Sequence, residues 1–195
     1  MGLVERSTRG RLLVATPDLA DPNFARTVVL MLEHTEEAAL GLVLNRPREL
    51  RVADALPAWG DVCSAPACLF VGGPVQPDAV IGLARTVGAA IAVEPLAGTQ
   101  GEGFQPLFAS MGTLDLDRDP LAFDGLDGVR VFVGYAGWGP GQLDRELHAG
   151  GWLVVDAMDD DAFTSNPAEL WREVLARQPG RVRLFANAPE DPSTN

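Results

Sequence analysis

The sequence contains no lysine, and all 15 of its basic residues are arginines. The absence of an amine side chain excludes chemistry that needs one, such as Schiff-base formation, pyridoxal phosphate attachment and the Walker A lysine of phosphate-binding loops. Histidine and cysteine occur twice each, and tyrosine occurs once. A Ser-His-Asp or Cys-His catalytic site would therefore have to use His34 or His148.

Long apolar runs are also missing. No stretch of about 18 uncharged apolar residues is present, so the sequence predicts no membrane-spanning helix and no membrane partner. Residues 1–11 are polar and include Glu5, unlike a signal peptide with its apolar middle section. We therefore expect a cytoplasmic protein.

Two cysteines give little basis for a redox or metal site. Cys63 and Cys68 are spaced more widely than a C-x-x-C motif, which favours two reduced, partly buried thiols. Asp115, Asp117 and Asp119 begin like a calcium loop, but Pro120 stands where that loop requires glycine. The sequence indicates no metal and no cofactor.

Positive charge is in short supply relative to negative charge. The 27 acidic and 15 basic residues give a formal net charge of -12. Such a charge repels phosphate backbones, so direct nucleic-acid binding is disfavoured unless the arginines gather on one face. An unidentified protein or small molecule is the expected partner.

The residues that are present predict a globular protein, with 47% apolar and 22% charged residues. We expect a single domain over residues 1–195, with an ordered core of about residues 10–186 and flexible ends. Strands are predicted at Arg11–Ala15, Thr27–His34, Gly41–Asn45, Leu69–Gly72, Pro106–Met111, Val129–Tyr135, Trp152–Asp156 and Val182–Phe185. A mobile surface loop is predicted at residues 97–105.

Helices are fewer. Short helices are predicted at Val52–Leu56 and Pro140–Ala149, and the clearest helix follows Asn166 as cap, with Pro167 in the first helical position. Glu173 and Arg177 are expected to pair on that helix. Hairpins mixed with few helices indicate the α+β class.

The most informative segment is 134–147, which follows an apolar strand. It reads Gly-Tyr-Ala-Gly-Trp-Gly-Pro-Gly-Gln-Leu-Asp-Arg-Glu-Leu. Its strand, glycine loop and helix match the order of a dinucleotide-binding unit, which makes phosphate or nucleotide binding at the Gly134–Gly141 loop one hypothesis. The glycine order differs from G-x-G-x-x-G, and Tyr135 and Trp138 occupy places where a pyrophosphate would need close approach. A turn that stacks both aromatic rings into a groove is the competing interpretation.

His34 supports a second hypothesis. It could act with Glu33 or Glu36 as an acid or base on a small-molecule substrate. Its alternation with Leu30 and Leu32 on one strand face favours instead a buried, hydrogen-bonded histidine at the strand end.

Four separated motifs resemble the YqgE/AlgH family of bacterial proteins. They are Asp-Pro-Asn-Phe at 21–24, the segment 41–47 that ends in Asn-Arg-Pro, Gly-Gly-Pro-Val-Gln at 72–76, and the glycine-rich segment that begins at Gly134. The resemblance covers roughly residues 10–178. It departs from the family at Leu83-Ala84, where a Leu-His pair is usual, and near Ala38 and Ala39, where a glycine is usual.

The resemblance implies an α+β fold whose mixed β-sheet curls into a partly closed, barrel-like structure with a few short helices. It also implies a bacterial cytosolic protein and, in some members, a connection with control of transcription, and it supplies no catalytic residue. Our first hypothesis is a non-enzymatic binding or regulatory protein that acts through a partner at a groove beside the glycine loop. The candidate ligand- or partner-binding residues come from these motifs and the strand beside them: Asn23, Phe24, His34, Asn45, Arg46, Gly72, Gly73, Pro74, Tyr135, Gly137, Trp138 and Gln142.

Overall fold

The computed structural model describes residues 7–87 and 103–189, in which the chain forms ten strands and three short α-helices. The strands are β1 (Arg11–Ala15), β2 (Val28–His34), β3 (Ala39–Val43), β4 (Pro47–Arg51), β5 (Cys68–Val71), β6 (Val75–Thr86), β7 (Phe104–Phe108), β8 (Met111–Leu114), β9 (Leu126–Trp138) and β10 (Trp152–Asp156). The helices are α1 (Val52–Ala55), α2 (Gln142–His148) and α3 (Leu170–Ala176).

The strands form one mixed sheet. Eight of them follow the order β10-β1-β2-β3-β9-β6-β8-β7, while β5 pairs in parallel with β9 and carries β4 on its other edge. The other pairings are antiparallel. This confirms the predicted α+β class with a mixed, curled sheet and a few short helices.

Arg9 links β7, which lies at one edge of the curled sheet, to β2. Its guanidinium donates through Nε to the carbonyl of Leu32 in β2 at 3.1 Å, and through Nη2 to that of Pro106 in β7 at 3.0 Å. Gly10 lies equally close to β7, since a Cβ there would stand 3.3 Å from the Cβ of Phe108. Side-chain contacts thus join the edge strand β7 to β2 at this point.

Both faces of the central strands are buried, in keeping with the continuous apolar run at the start of β2. Leu12, Val14 and Leu30 pack on one face with the apolar side of α3, including Trp171. Residues between them in sequence, such as Leu13, pack on the opposite face with α2 and the tryptophans of β9 and β10. The two helices therefore cover opposite sides of the same strands.

Several predicted boundaries agree with the structure. Arg11–Ala15 and Trp152–Asp156 are strands over the predicted residues. The hairpin between β2 and β3 also forms, with Thr35 donating its backbone N–H to the carbonyl of Ala38 at 2.9 Å. Alanine in place of glycine near residue 38 is therefore compatible with the turn.

Other predictions were wrong. Residues 106–111 are not one strand, because Ala109, with φ 46°, lies in a tight turn that divides them between β7 and β8. Residues 182–185 belong to a 3-10 helix, Val182–Asn187, that packs against α3 instead of pairing with a strand. The exposed strand β4 has no apolar alternation and was not predicted.

The last helix begins later than predicted. Residues 166–169 form a turn, in which the carbonyl of Asn166 accepts from the N–H of Glu169, and α3 starts at Leu170. Arg177 does not pair with Glu173, because it makes a two-pronged contact with the buried Asp161, with both nitrogen–oxygen distances at 2.6 Å. Arg177 thus pairs with a carboxylate from outside the helix instead of with Glu173.

The predicted mobile loop and flexible ends lie largely outside the described residues. Of the segment 97–105, the structure describes residues 103–105, and Phe104 and Gln105 belong to β7. Within the described residues, no helix is both long and apolar enough to cross a membrane.

Candidate functional site

Three of the sequence motifs meet at one shallow groove of about 280 Å³. We call it the motif groove, and it is lined by Pro22, Asn23, Arg46, Pro47, Gly73 and Pro74, with Val43 and Val71. The segments join because β3 and β5 lie close together: Val43 donates its N–H to the carbonyl of Gly72 at 2.8 Å, and Val71 donates to that of Arg46 at 2.8 Å. The sheet thereby brings residues about fifty positions apart onto one surface.

Polar groups in the motif groove are available to a ligand. Asn23 is exposed, and the hydrogen bond that orders it uses its backbone N–H, which donates to Asp21 at 2.8 Å. Arg46 is half-buried and donates through Nη2 to the carbonyl of Ala25 at 2.6 Å, which fixes one prong of its guanidinium. A carboxylate or carbonyl oxygen is the natural acceptor for such donors.

Asn45 has a different role from its neighbour. It is 7% exposed, its Oδ1 accepts the N–H of Val28 at 3.0 Å, and its Nδ2 donates to the carbonyl of Arg26 at 2.8 Å. The Asn45 side chain therefore makes two hydrogen bonds to the backbone at the start of β2, of the kind that a neighbouring strand would make. It thereby fixes this end of β2 beside the motif groove.

A second concavity of about 400 Å³ continues from the motif groove and shares Arg46 and Pro47 with it. We call it the arginine cleft. Arg26 and Arg172 also line it, and Glu169 is its acidic member. Arg26 lies over the ring of Trp171, 4.6 Å from its centroid. Three arginines and one glutamate therefore line one cleft in a chain of net charge -12.

The motif glycines are required by close contact between backbones. A Cβ on Gly72 would lie 2.3 Å from the carbonyl oxygen of Gly134, and one on Gly73 would lie 2.2 Å from the carbonyl carbon of Tyr135. Gly134 has φ 67°, a conformation that favours glycine. These contacts account for the glycines at 72, 73 and 134 without a bound phosphate.

Trp138 lines neither the motif groove nor the arginine cleft, although the sequence suggested that its ring stacks into a groove. It is 4% exposed and stacks on half-buried Phe24, with ring centroids 6.1 Å apart. Its indole N–H donates to Oε2 of Glu146 at 2.9 Å, and Trp152 donates to the same oxygen at 2.9 Å. Trp138 is the last residue of β9, so this part of the predicted loop is strand, and its ring packs with Phe24 and Trp152.

Gln142 completes this cluster. It donates through Nε2 to Oε1 of Glu146 at 2.9 Å, and its Oε1 accepts the N–H of Gly139 at 3.1 Å. The loop amide that a phosphate would need is therefore already bonded. Since α2 has seven residues, its first turn also offers little helix dipole.

Tyr135 and Gly137 lie apart from the motif groove. Tyr135 is half-buried and packs against the large core cluster beside α3. A Cβ on Gly137 would stand 3.3 Å from the Tyr135 ring, so this glycine makes room for the tyrosine. Neither residue lines the motif groove or the arginine cleft.

His34 borders a separate cavity of about 580 Å³, together with Glu33, Arg9 and residues of β7. Its side chain is 9% exposed. Nδ1 accepts the N–H of Thr8 at 3.3 Å, and Nε2 lies 3.4 Å from Oδ1 of Asp144 on α2. The carboxylate beside His34 is thus Asp144, and Glu33 and Glu36 are exposed.

The cysteines are free and half-buried, in agreement with the expectation. Burial raises the pKa of Cys63 to about 11, an effect that the nearby Arg130 guanidinium partly offsets. Among the described residues, no group of three or more His, Cys, Asp and Glu side chains could hold a metal ion.

The sequence predicted a groove beside the glycine-rich loop, whereas the motif groove contains Asn23 and Arg46 and no residue of that loop. The arginines beside it were not predicted. Arg26 and Arg172 lie far apart in the chain, and neither belongs to the four motifs that resemble the family. The packing of α3 beside the start of β2 brings them together. No sequence signal places Asp144 beside His34.

Comparison with known proteins agrees with this fold. A family model described as AlgH-like matches residues 12–183. A UPF0301 protein of Streptomyces avermitilis is 46% identical over 197 residues, which is 100% of this chain and 99% of that protein. A UPF0301 protein of Thermobifida fusca is 45% identical, covering 97% of this chain and 96% of that one.

Two solved structures are similar. A crystal structure of a Corynebacterium diphtheriae protein has a TM-score of 0.83 and 30% identity, covering 95% of this chain and 94% of that one. The solution structure of AlgH from Pseudomonas aeruginosa has a TM-score of 0.66 and 29% identity, covering 98% and 99%. The curled sheet, the converging motifs and these similarities lead to one conclusion: the chain belongs to the AlgH-like family, with UPF0301 proteins as its relatives.

Proposed function

We propose that this protein is a non-enzymatic binding protein of the bacterial cytoplasm, which recognises an acidic segment of a protein partner at the motif groove and the arginine cleft. The observation that carries the proposal is the meeting of three separated motifs at one concave surface beside three arginines. Regulation of transcription would then act through that partner, because the overall charge of -12 opposes direct contact with DNA.

Electrostatics support an acidic partner. Arg46 reaches both concavities, and its guanidinium can form a paired contact with a carboxylate. The acidic remainder of the surface repels other negative segments, so binding would be confined to the arginine cleft. Pro22, Pro47 and Pro74 provide rigid apolar walls at the groove.

The two alternatives have less support. An acid–base mechanism at His34 would need a ring nitrogen free for substrate, whereas Nδ1 and Nε2 face Thr8 and Asp144. Phosphate binding at 134–141 would need free amides, whereas the N–H of Gly139 is bonded to Gln142 and residues 134–138 lie in β9.

A titration tests the proposal directly. Hexaglutamate is added to isotopically labelled protein, with hexaglutamine as the uncharged control, and amide shifts are followed by NMR. We expect hexaglutamate to shift residues around Asn23, Arg46 and Gly73, with an effect that weakens as salt rises. Equal shifts with both peptides, or shifts confined to other surfaces, would contradict the acidic preference.

A pull-down from bacterial extract tests the same surface with natural partners. Arg46→Gln removes the shared guanidinium, and Arg183→Gln removes an exposed arginine outside both concavities as a matched control. We expect Arg46→Gln to lose the recovered partner and Arg183→Gln to retain it. Recovery that is unaffected by Arg46→Gln would remove this surface from consideration.

A further inference from the structure

Arg130 is a buried charge with incomplete hydrogen bonding. It is 1% exposed, and its Nη2 donates to the carbonyls of Ala65 at 2.8 Å and Thr164 at 3.0 Å. Within the described residues, Nε and Nη1 are buried and have no hydrogen-bond partner. A buried guanidinium left in this state is costly, which indicates that an acceptor belongs beside it.

The sheet register places Cys68 beside Arg130. In the parallel pair of β5 and β9, Leu69 is opposite Val131 and Phe70 is opposite Phe132. Cys68 and Arg130 each precede those partners by one residue, so their side chains share the face that carries Phe70 and Phe132. The guanidinium lies over the Phe70 ring, 4.3 Å from its centroid, on that same face.

The acidic groups nearest Arg130 are thiols. Burial lowers the pKa of Arg130 to about 10, and among the described residues the groups that offset this effect are Cys68 and then Cys63. The pKa of Cys63, raised to about 11, keeps that thiol protonated. Cys63 also packs on a different core cluster from Cys68. These differences favour Cys68 as the reacting residue.

We propose that Cys68 is a site of oxidation by peroxides, and that its anionic sulfenate is held by Nε and Nη1 of Arg130. In the reaction, the Cys68 thiolate attacks one peroxide oxygen, an S–O bond forms and the O–O bond breaks. The second oxygen takes a proton and leaves as water or an alcohol. The sulfur is oxidised by two electrons as the peroxide is reduced, and the sulfenic acid releases its proton to solvent.

The site is accessible enough for this chemistry. Cys68 is half-buried, so a small peroxide can reach it. Arg130 provides the two donors that stabilise the sulfenate after oxidation.

Trapping of the sulfenic acid with dimedone tests the proposal. The Cys63→Ser variant is treated with hydrogen peroxide under native conditions, labelled and mapped by mass spectrometry. We expect the adduct on Cys68, and a labelling rate about tenfold lower when Arg130→Leu is added. Labelling that appears only in urea, or a rate that does not depend on Arg130, would overturn the proposal.

A second variant covers the case in which Arg130→Leu does not fold. Arg130→Lys keeps a positive charge but lacks the planar pair of donors. Oxidation should raise the melting temperature of the Cys63→Ser protein, and Arg130→Lys should abolish that rise. An equal rise in both proteins would show that the sulfenate does not use Arg130. These readouts do not depend on the motif groove.

Discussion

Trp138 and Trp152 donate their indole N–H groups to the same carboxylate oxygen, Oε2 of Glu146, each at 2.9 Å. Their rings cross almost at right angles, with centroids 6.0 Å apart. One acidic residue of α2 therefore joins the ends of β9 and β10, which are not neighbours in the sheet. The glycine-rich motif thus anchors the helix that covers this face of the strands.

Replacing Glu146 by glutamine should lower the free energy of unfolding by about 2 kcal/mol. The carboxylate accepts from three donors: Trp138, Trp152 and Gln142. An amide has one oxygen, so in either orientation at least one of these donors would face an NH₂ group. Urea denaturation followed by tryptophan fluorescence measures the change.

Glu36→Gln is the control for this prediction. Glu36 lies exposed in the turn between β2 and β3, and its substitution removes the same charge from a solvated position. Its unfolding free energy should change by less than about 0.5 kcal/mol. Equal losses in the two variants would mean that charge alone, and not the indole contacts, is responsible.

Gly73→Ala should destabilise the protein by more than about 3 kcal/mol or prevent folding. The added Cβ would meet the backbone of Tyr135 at 2.2 Å, where no flexible side chain can move aside. Gly139→Ala is the matched change, since its Cβ would meet Oε1 of Gln142 at 4.0 Å. Equal melting temperatures for the two variants would contradict the close contact between β9 and residues 72–73.

The two histidines should carry their protons on different ring nitrogens when neutral. Nδ1 of His34 accepts from Thr8, which leaves the proton on Nε2, whereas Nδ1 of His148 faces the backbone carbonyl of Asp144 at 2.7 Å and must donate. Nitrogen-15 NMR of the neutral rings, recorded at alkaline pH, reports both forms. The same tautomer at both residues would contradict this geometry.

Alkylation of Cys63 should need unusually alkaline conditions. Its pKa is raised from 9.0 to about 11 by burial, and the thiolate is the reactive species. In the Cys68→Ser variant, the iodoacetamide rate should keep rising up to about pH 11 in the native protein, and level off near pH 9 in urea. A native rate that levels off near pH 9 would show that burial does not act on this thiol.

Much of the sheet could be predicted because its strands have local signals. β1 and β10 are short apolar runs bounded by polar or glycine residues, and both were predicted over their full length. β9 was predicted only as far as Tyr135, because glycines at 134 and 137 normally indicate a loop. Here they allow β9 to approach other backbones and the Tyr135 ring, which the local sequence does not reveal.

Some residues of the motif groove could be recognised because they, too, have local sequence signals. Asn23, Arg46, Gly73 and Pro74 belong to recognisable motifs, and they do line one groove. Trp138 was predicted to line a groove because the glycine-rich turn was expected to stack its ring there. Its burial depends on Glu146 and Phe24, whose positions follow from tertiary packing rather than from sequence spacing.

Arg9 joins β2 and β7 through hydrogen bonds from its side chain, and this affects how the curled sheet can deform. A ladder of backbone hydrogen bonds fixes two strands in one register, whereas a guanidinium at the end of a long side chain tolerates a range of positions. The seam between β2 and β7 can therefore slide or widen without breaking a ladder. The 580 Å³ cavity lies between these strands, and Arg9 is one of its lining residues. The volume of the cavity therefore depends on the hydrogen bonds that hold the Arg9 side chain in place.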